Sequence, residues 1–390
     1  MMHPDDALAL IARQEVSILP EESESVPLER ALGRVLARDV YATVDQPPFD
    51  KAAMDGFAWG GEPRESYGIA RTIAAGEYPD LSLLPGECVR IMTGAPLPPG
   101  ADRIQRVEWT EEAEGRVRFT TRESSDNVIR RGENQKAGDL LLGRRVLRPA
   151  DIGILASSGY ARVPVQRKPV VGVISTGDEL RTPGEPLEPG AIYDSNGPQL
   201  AAQAASAGCE VRSYGRFPDR PEALDAAVRT ALSECDLVLL SGGVSMGDFD
   251  YVPQVLERNG VKKVFHNLAM KPGKPTYLGR RGNVFVLGLP GNPVSTFVNF
   301  EIMAKAILAR LRNLPPDPPI LRARLAEGVT RRDTDRVEYL PARHSGGEIR
   351  ALRYSGSSML GVLSEANALL RLEIGQKTLE PGAEIDARLL

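Results

Sequence analysis

Cysteine is scarce in this chain, with only Cys88, Cys209 and Cys235 among 390 residues and no CxxC pair. An odd, sparse set excludes a disulfide framework and a cysteine-based structural zinc site, and it points to a reducing compartment, the cytoplasm. Histidine is as thin: His3, His266 and His344 are scattered. They leave no Ser-His-Asp or Cys-His pairing and no His/Cys metal spacing. His266, inside the run VFHNL, reads as a core residue rather than a base. Positive charge is not in excess: 48 Lys and Arg face 52 Asp and Glu, a net charge of −4. That balance gives no support to binding of nucleic acid or of an acidic membrane. The opening MMHPDDALALIARQE carries early acids and no long apolar run, against a signal peptide or a membrane span. Neither a GxGxxG fingerprint nor a Walker loop occurs.

What is present is ordinary globular material, 42% hydrophobic and 26% charged, with 38 glycines and 31 prolines concentrated at turns. The length argues for two to four domains. Up to about residue 167 an amphipathic helix is expected over DDALALIARQEVSIL and a second over PLERALGRVLARDV. Short strands and turns follow, an α+β or mostly β region in two subdomains, one inserted at about 50–138. From 168 to 312 apolar β-branched runs alternate with helical stretches. PVVGVIST, CEVRSYG, DLVLLSGG, VKKVFHNL and NVFVLGL read as strands. DSNGPQLAAQAASAG (Asn196 as cap), PEALDAAVRTALSE, DYVPQVLERNG and PVSTFVNFEIMAKAILARL read as helices. That rhythm predicts an open, mainly parallel α/β sheet with ligands beyond the carboxyl ends of its strands. NLPPDPPI (313–320) reads as a stiff linker to a small C-terminal β domain, sandwich or barrel.

Three polar loops fall at those strand ends: STGDEL, SGGVSMGDFD and LPGNPVS. The Ser/Gly run 241–245 suits an anion, yet Asp248 and Asp250 close it. With Asp178 and Glu179 these acids form a carboxylate cluster, and carboxylates facing phosphate-binding loops make a hard-cation site, with Mg²⁺ bridging acid to phosphate. In MKPGKP (270–275) the prolines and Gly273 hold Lys271 and Lys274 on a rigid turn that suits an oxyanion; the bland alternative is two solvated lysines. In LPGNPVS, Asn292 caps a helix with Pro293 in its first turn, leaving the N–H groups of Val294 and Ser295 for an anion. PPFDKAAMDGFA (47–58) and IMTGAPLPPGAD (91–102) are dense, proline-stiffened loops carrying Asp55 and Thr93, which on their own read as structural.

Taken together, PPFDKAAMDGFA, IMTGAPLPPGAD, STGDEL, YDSNGPQL, SGGVSMGDFDYV, MKPGKP, LPGNPVS and SGSSMLGVLSEANALLRL resemble the molybdopterin molybdenumtransferase family, the MoeA and gephyrin E-domain group, in family order from about residue 45 to 372. The resemblance implies a multidomain α/β plus β fold. Its parts are a split N-terminal region, a central molybdopterin-binding domain of the MogA/MoaB-like kind and a C-terminal β-barrel-like domain. It also implies a cytoplasmic, elongated homodimer that takes substrate from a molybdopterin adenylyltransferase and passes its product to molybdenum-cofactor acceptor proteins or chaperones. The implied reaction places molybdenum from molybdate on adenylylated molybdopterin, with Mg²⁺-dependent release of AMP. Carried over residue by residue, Glu179, Asp248 and Asp250 hold the metal or orient water. Ser241, Gly242, Gly243 and Ser245, with Asp194, Asn196, Pro290, Gly291, Asn292 and Ser295, bind the phosphate or pterin part. Lys271 and Lys274, helped by Arg336 and Ser357, attract the oxyanion, and Asp55 and Thr93 reach in from the N-terminal region across the dimer.

Three positions depart from the family pattern. Asn134 stands in RGEN where an Asp is common, Ala52 where a Ser is usual, and Pro341 where some members carry Arg. An amide can neither serve as a base nor add charge to Mg²⁺. Two other readings therefore stand beside the transferase: an adenylyltransferase-like enzyme using the same α/β domain, and a non-catalytic molybdopterin-binding paralogue or scaffold.

Overall fold

The chain is described from a computed structural model, over residues 1–15, 23–244, 251–315, 320–353 and 356–390. Six strands form the central sheet: β1 (Val170–Thr176), β2 (Glu210–Phe217), β3 (Leu237–Ser241), β4 (Lys262–His266), β5 (Tyr277–Arg281) and β6 (Val284–Leu289). Their order is β2-β1-β3-β6-β5-β4. The first four are parallel, while β5 and β4 run antiparallel to their neighbours. Because successive side chains point to opposite faces, each apolar run serves two cores. Val171, Val173, Leu237, Leu239, Phe285 and Leu287 face one, whereas Ile174, Val238, Leu240 and Val286 face the other. This double burial is why the strands read as continuous apolar stretches rather than alternating ones.

The helices are α1 (Pro4–Ala12), α2 (Asn196–Ser206), α3 (Pro221–Glu234), α4 (Val252–Arg258), and α5 (Pro293–Asn299), which continues through a π turn (Phe300–Ala304) into α6 (Lys305–Leu311). The first core is covered by α2, α5 and α6 and the second by α3 and α4. α1 contributes Ala7 and Ile11 to the first core beside Ile307, Leu308 and Leu311. It is also held by Asp5, which accepts two hydrogen bonds from the Arg371 guanidinium at 2.8 and 2.7 Å.

In the C-terminal region β7 (Ile320–Leu325), β8 (Val337–Ser345), β9 (Glu348–Ala351), β10 (Ala368–Leu372) and β11 (Glu384–Leu389) close a five-stranded barrel in the order β8-β9-β7-β11-β10-β8. Its core includes Leu325, Ala342, Ile349, Leu370 and Leu372. A two-residue strand, Met270–Lys271, pairs in parallel with the start of β8 and sets Lys271 opposite Glu338.

Residues 1–24 and 165–390 form one compact unit and residues 25–164 another. The second contains a six-stranded sheet, ordered Arg103–Arg106, Gly56–Trp59, Glu87–Ile91, Ser66–Ile73, Arg116–Phe119 and Thr110–Ala113. No helix among the described residues is long and apolar enough to cross a membrane.

Several sequence expectations need correction. PLERALGRVLARDV is not a helix: only Leu28–Arg30 makes a 3-10 turn. Gly33 turns at φ +74°, and the N–H groups of Gly33 and Leu36 donate to the carbonyls of Leu147 and Arg145, so backbone pairing takes what a helix would use. The first helix ends at Ala12, and 16–22 lie outside the described residues. So do 316–319 of the expected linker.

Candidate active site

Two adjoining cavities open in the larger unit, sharing Pro275, Pro290 and Asn292 in their walls. The one at the carboxyl ends of the central strands has a volume of about 680 Å³. Its position follows from register: Ser175, Ser241 and Leu289 lie side by side at the ends of β1, β3 and β6, which brings Thr176, Ser241 and Pro290 to the cavity wall. Beyond Ser241 the chain must pass close to β1, and only glycine permits this. Gly242 has φ +97°, and a Cβ there would stand 2.2 Å from the Thr176 carbonyl oxygen. The Gly242 N–H donates to the Leu289 carbonyl, so Gly242 touches both neighbouring strands.

Carboxylates dominate this cavity: Glu179, Asp194 and Asp219 line it together with Ser241, Gly242, Gly243, Pro290, Gly291 and Asn292. Asp219, on the turn after β2, was missed in the sequence. The Thr176 hydroxyl donates to its carboxylate, and its N–H donates to Asp178. The strand-end rule would have found it, since FPDRP lies at the carboxyl end of the parallel strand β2. Asp194 is buried and accepts from the Gly197 N–H.

Asn196 does not cap α2; Ser195 does. The Asn196 side-chain N–H₂ donates to Ser241 Oγ and to the Gly291 carbonyl, both at 2.7 Å. Ser241 is therefore engaged in tying β3 to the Pro290–Asn292 loop. The Asn196 side-chain oxygen is buried without a partner among the described residues, which leaves an acceptor at the cavity wall. Ser245, Asp248 and Asp250 lie outside the described residues. Among the described residues no three His, Cys, Asp or Glu side chains group as a metal site.

The second cavity, of about 750 Å³, lies between the 271–275 turn, the start of α5 and the barrel. Lys271, Lys274, Arg336 and Arg353 face it, against Glu327 and Glu338. The turn is anchored from beneath. Thr276, fully buried, donates to the Gly273 carbonyl and to Asn299, and Asn299 donates to the Ser295 carbonyl. Gly273 is at φ +112°, and a Cβ there would meet Asn299 Nδ2 at 2.2 Å.

The two lysines differ. Lys274 has no ion-pair partner among the described residues, whereas Lys271 Nζ sits 2.9 Å from Glu338. Lys271 is thus ion-paired on its turn, because strand pairing brings a buried carboxylate against it. At α5, Asn292 is the cap residue without a side-chain cap bond, and the Val294 N–H is not free: it donates to the Ser357 carbonyl at 2.9 Å. That bond brings Ser357 to the cavity with Ser295.

In the smaller unit Asp55 and Thr93 do come together, 38 positions apart in sequence. Both the N–H and the hydroxyl of Thr93 donate to one Asp55 oxygen, at 2.7 and 2.6 Å. These bonds hold the Asp55 carboxyl below the usual carboxylate range, so it is ionised at neutral pH. Asn134 is exposed, with its N–H bonded to the Gln46 carbonyl. Ala52 and Pro341 are both buried. His266 is half-buried and its Nε2 is 2.9 Å from the Val244 carbonyl, a structural contact. All three cysteines are buried and free. Burial pushes the thiols of Cys88 and Cys209 up to about 12 and about 11, so neither is a thiolate nucleophile.

Three family descriptions match successive stretches of the chain: the MoeA N-terminal region (domain I and II) over 2–159, a "Probable molybdopterin binding domain" over 172–310, and the MoeA C-terminal region (domain IV) over 322–390. A molybdopterin molybdenumtransferase of Bacillus subtilis is 35% identical over 388 residues, covering 95% of this chain and 90% of that one. Its namesake in Staphylococcus epidermidis is 34% identical over 400 residues, covering 98% and 94%. Among solved structures, a molybdopterin biosynthesis MoeA protein of Pyrococcus horikoshii superposes with a TM-score of 0.87 at 28% identity, covering 100% of both chains. With relatives at this identity aligned over nearly their whole length, the chain belongs to the MoeA family of molybdopterin molybdenumtransferases, transferases of molybdenum cofactor biosynthesis.

Proposed function

We propose that the chain inserts molybdenum from molybdate into adenylylated molybdopterin, with Mg²⁺-dependent release of AMP. The observation that carries this reading is the pair of adjoining cavities of opposite charge: carboxylates and a glycine turn in one, a surplus of cations in the other, with a common wall at Pro275, Pro290 and Asn292. A molecule carrying both a phosphoanhydride and a metal-accepting end needs such a neighbourhood.

In this proposal Gly242 and Gly243 admit the phosphate beside the strand ends. The unpaired Asn196 oxygen takes a hydrogen bond from a donor on the pterin, and Asp194, Pro290, Gly291, Ser295 and Ser357 complete the walls. Lys274 and Arg336 attract the oxyanion, and Lys271 meets it from a fixed position. Asp55, held ionised by Thr93, serves as a fixed negative charge rather than as a proton donor. The all-oxygen donors Glu179 and Asp219, with Asp248 and Asp250 from the same motif set, fit a hard cation. When bound, Mg²⁺ supplies charge to the phosphoanhydride oxygens.

The proposal extends to organisation: an N-terminal region 1–167 with an insertion at about 50–138, a central domain 168–312 and a C-terminal domain 313–390. It also includes a cytoplasmic homodimer, receipt of substrate from an adenylyltransferase and delivery to acceptor proteins or chaperones. The adenylyltransferase-like and non-catalytic readings are not favoured, since the relatives matched over nearly their whole length are named molybdopterin molybdenumtransferases. The test is AMP release from adenylylated molybdopterin with Mg²⁺, measured with and without molybdate. Molybdate-dependent release is expected; release indifferent to molybdate, or AMP transfer from ATP, would sink the proposal. Sedimentation velocity checks the homodimer.

A further inference from the structure

The cation-lined cavity has a carboxylate built into its floor. Glu338 is only 4% exposed, yet it lines the space that Lys271, Lys274 and Arg336 make positive. One of its oxygens is 2.9 Å from Lys271 Nζ, and the other is 3.5 Å from an Arg331 nitrogen.

Arg331 does not hydrogen-bond that second oxygen. It is itself buried, three of its five N–H groups go to the carbonyls of Gln376, Arg336 and Glu373, and its nearest nitrogen stays 3.5 Å from the carboxylate. The second Glu338 oxygen has no hydrogen bond among the described residues. Lys271 is therefore the chief partner of a buried charge, although its own side chain is 39% exposed at the cavity. A buried ion pair is a poor device for stability, because desolvation offsets its attraction. Something other than stability is needed to explain a carboxylate in an anion cavity.

We propose that Glu338 is a built-in counter-anion: a positioning residue that pins Lys271 and competes with the incoming oxyanion for its charge. The inference rests on the oxyanion reading of this cavity given above. Strand register sets Lys271 against Glu338, and Arg331 links the same carboxylate to the carbonyl of Arg336, so the two cationic loops share one anchor. An oxyanion touching Lys271 Nζ at about 3 Å then lies within roughly 6 Å of the carboxylate, adding the 2.9 Å of the ion pair. At that range repulsion of a dianion outweighs what a freer lysine loses in orientation. Glu338 thus moderates affinity, leaving the oxyanion bound weakly enough to move on to the neighbouring substrate.

The test is calorimetric titration of the full-length protein with molybdate, tungstate and the monoanion perrhenate, using wild type, Glu338→Gln and Glu338→Asp, with folding checked by thermal melts. Glu338→Gln is expected to bind molybdate about tenfold tighter, and perrhenate only about threefold tighter, since the repulsion scales with charge. Glu338→Asp keeps the charge but draws it back from Lys271, and should tighten molybdate binding about twofold to threefold. This second variant decides the matter if the first does not fold. Unchanged or weaker binding in a folded variant, or equal gains for dianion and monoanion, overturns the inference and leaves the oxyanion reading standing. A wild-type protein that binds neither molybdate nor tungstate overturns both.

Discussion

The two cavities of the larger unit share three wall residues but are built in opposite ways. The cavity at the strand ends owes its shape to backbone: Gly242 passes against the Thr176 carbonyl, Asn196 stitches Ser241 to Gly291, Glu179 and Asp219 hang from turns that follow β1 and β2, and Asp194 stands just before α2. The cavity beside the barrel owes its character to side chains from distant parts of the sequence, with Lys271 on the turn, Arg336 and Glu338 at the start of β8, and Ser357 on a later loop. The first is built mainly on the α/β sheet, with Ser358 and Leu360 added to its wall from the C-terminal region. The second exists only because the barrel packs where it does. In the proposed function the phosphate side thus rests mainly on the α/β domain, while the oxyanion side depends on the barrel. Joining the two chemistries is a matter of domain arrangement.

The largest effect is expected from breaking the backbone side of this contrast. Gly242→Ala forces a Cβ to 2.2 Å from the Thr176 carbonyl at a positive φ, and backbone cannot swing aside. A loss of about 3 kcal/mol in urea melts is expected, with AMP release abolished. A loss below about 0.5 kcal/mol would mean that the two strand-end turns do not touch.

The side-chain cavity should behave differently. Lys274→Ala removes a cation that has no ion-pair partner among the described residues. The melt should be unchanged while molybdate-dependent AMP release falls about 100-fold, the scale of losing one well-placed charge. Equal turnover in this variant would take Lys274 out of the site.

The smallest effect belongs to a position outside both cavities. Asp5 binds Arg371 through two hydrogen bonds, and these hold its carboxyl below the usual range, with the Arg371 charge adding to them. The side chain is half-exposed, so solvent screens the pair, and Asp5→Asn should cost about 0.5–1 kcal/mol. A depressed carboxyl contributes fully above the ordinary value near 4 and loses its contribution as pH falls through the lowered folded value. The gap between wild type and variant should therefore be full at pH 7 and close in acid. Melts from pH 7 to pH 2 check this, and a gap that persists at pH 2 would contradict it.

The central domain was readable because its signals are local. Runs such as DLVLLS and NVFVLGL are apolar on both faces, and period two then divides them between two cores without further information. Turn glycines, first-turn prolines and the acids after strands follow from the same short-range rules. PLERALGRVLARDV misled because its apolar spacing suits a helix, and only contact with the Arg145–Leu147 segment diverts its N–H groups. Asn196 misled in a similar way: its type fits a helix cap, but the tertiary fold turns its amide towards Ser241. Asp55 and Thr93 were each visible as loop residues, while their bond required the fold to bring them together.

Sequence alone determined the strands, most of the helices, the polar loops at the strand ends and, through motif resemblance, the family. These depend on period, turn chemistry and residue type, which act over a few positions. Tertiary structure alone decided how the charges are partnered. Lys271 meets Glu338 across 67 positions of chain, Arg331 spends its donors on three carbonyls, and Val294 gives its N–H to Ser357. The energy of a charge is set by what stands within a few ångströms of it in space, and chain order does not encode that.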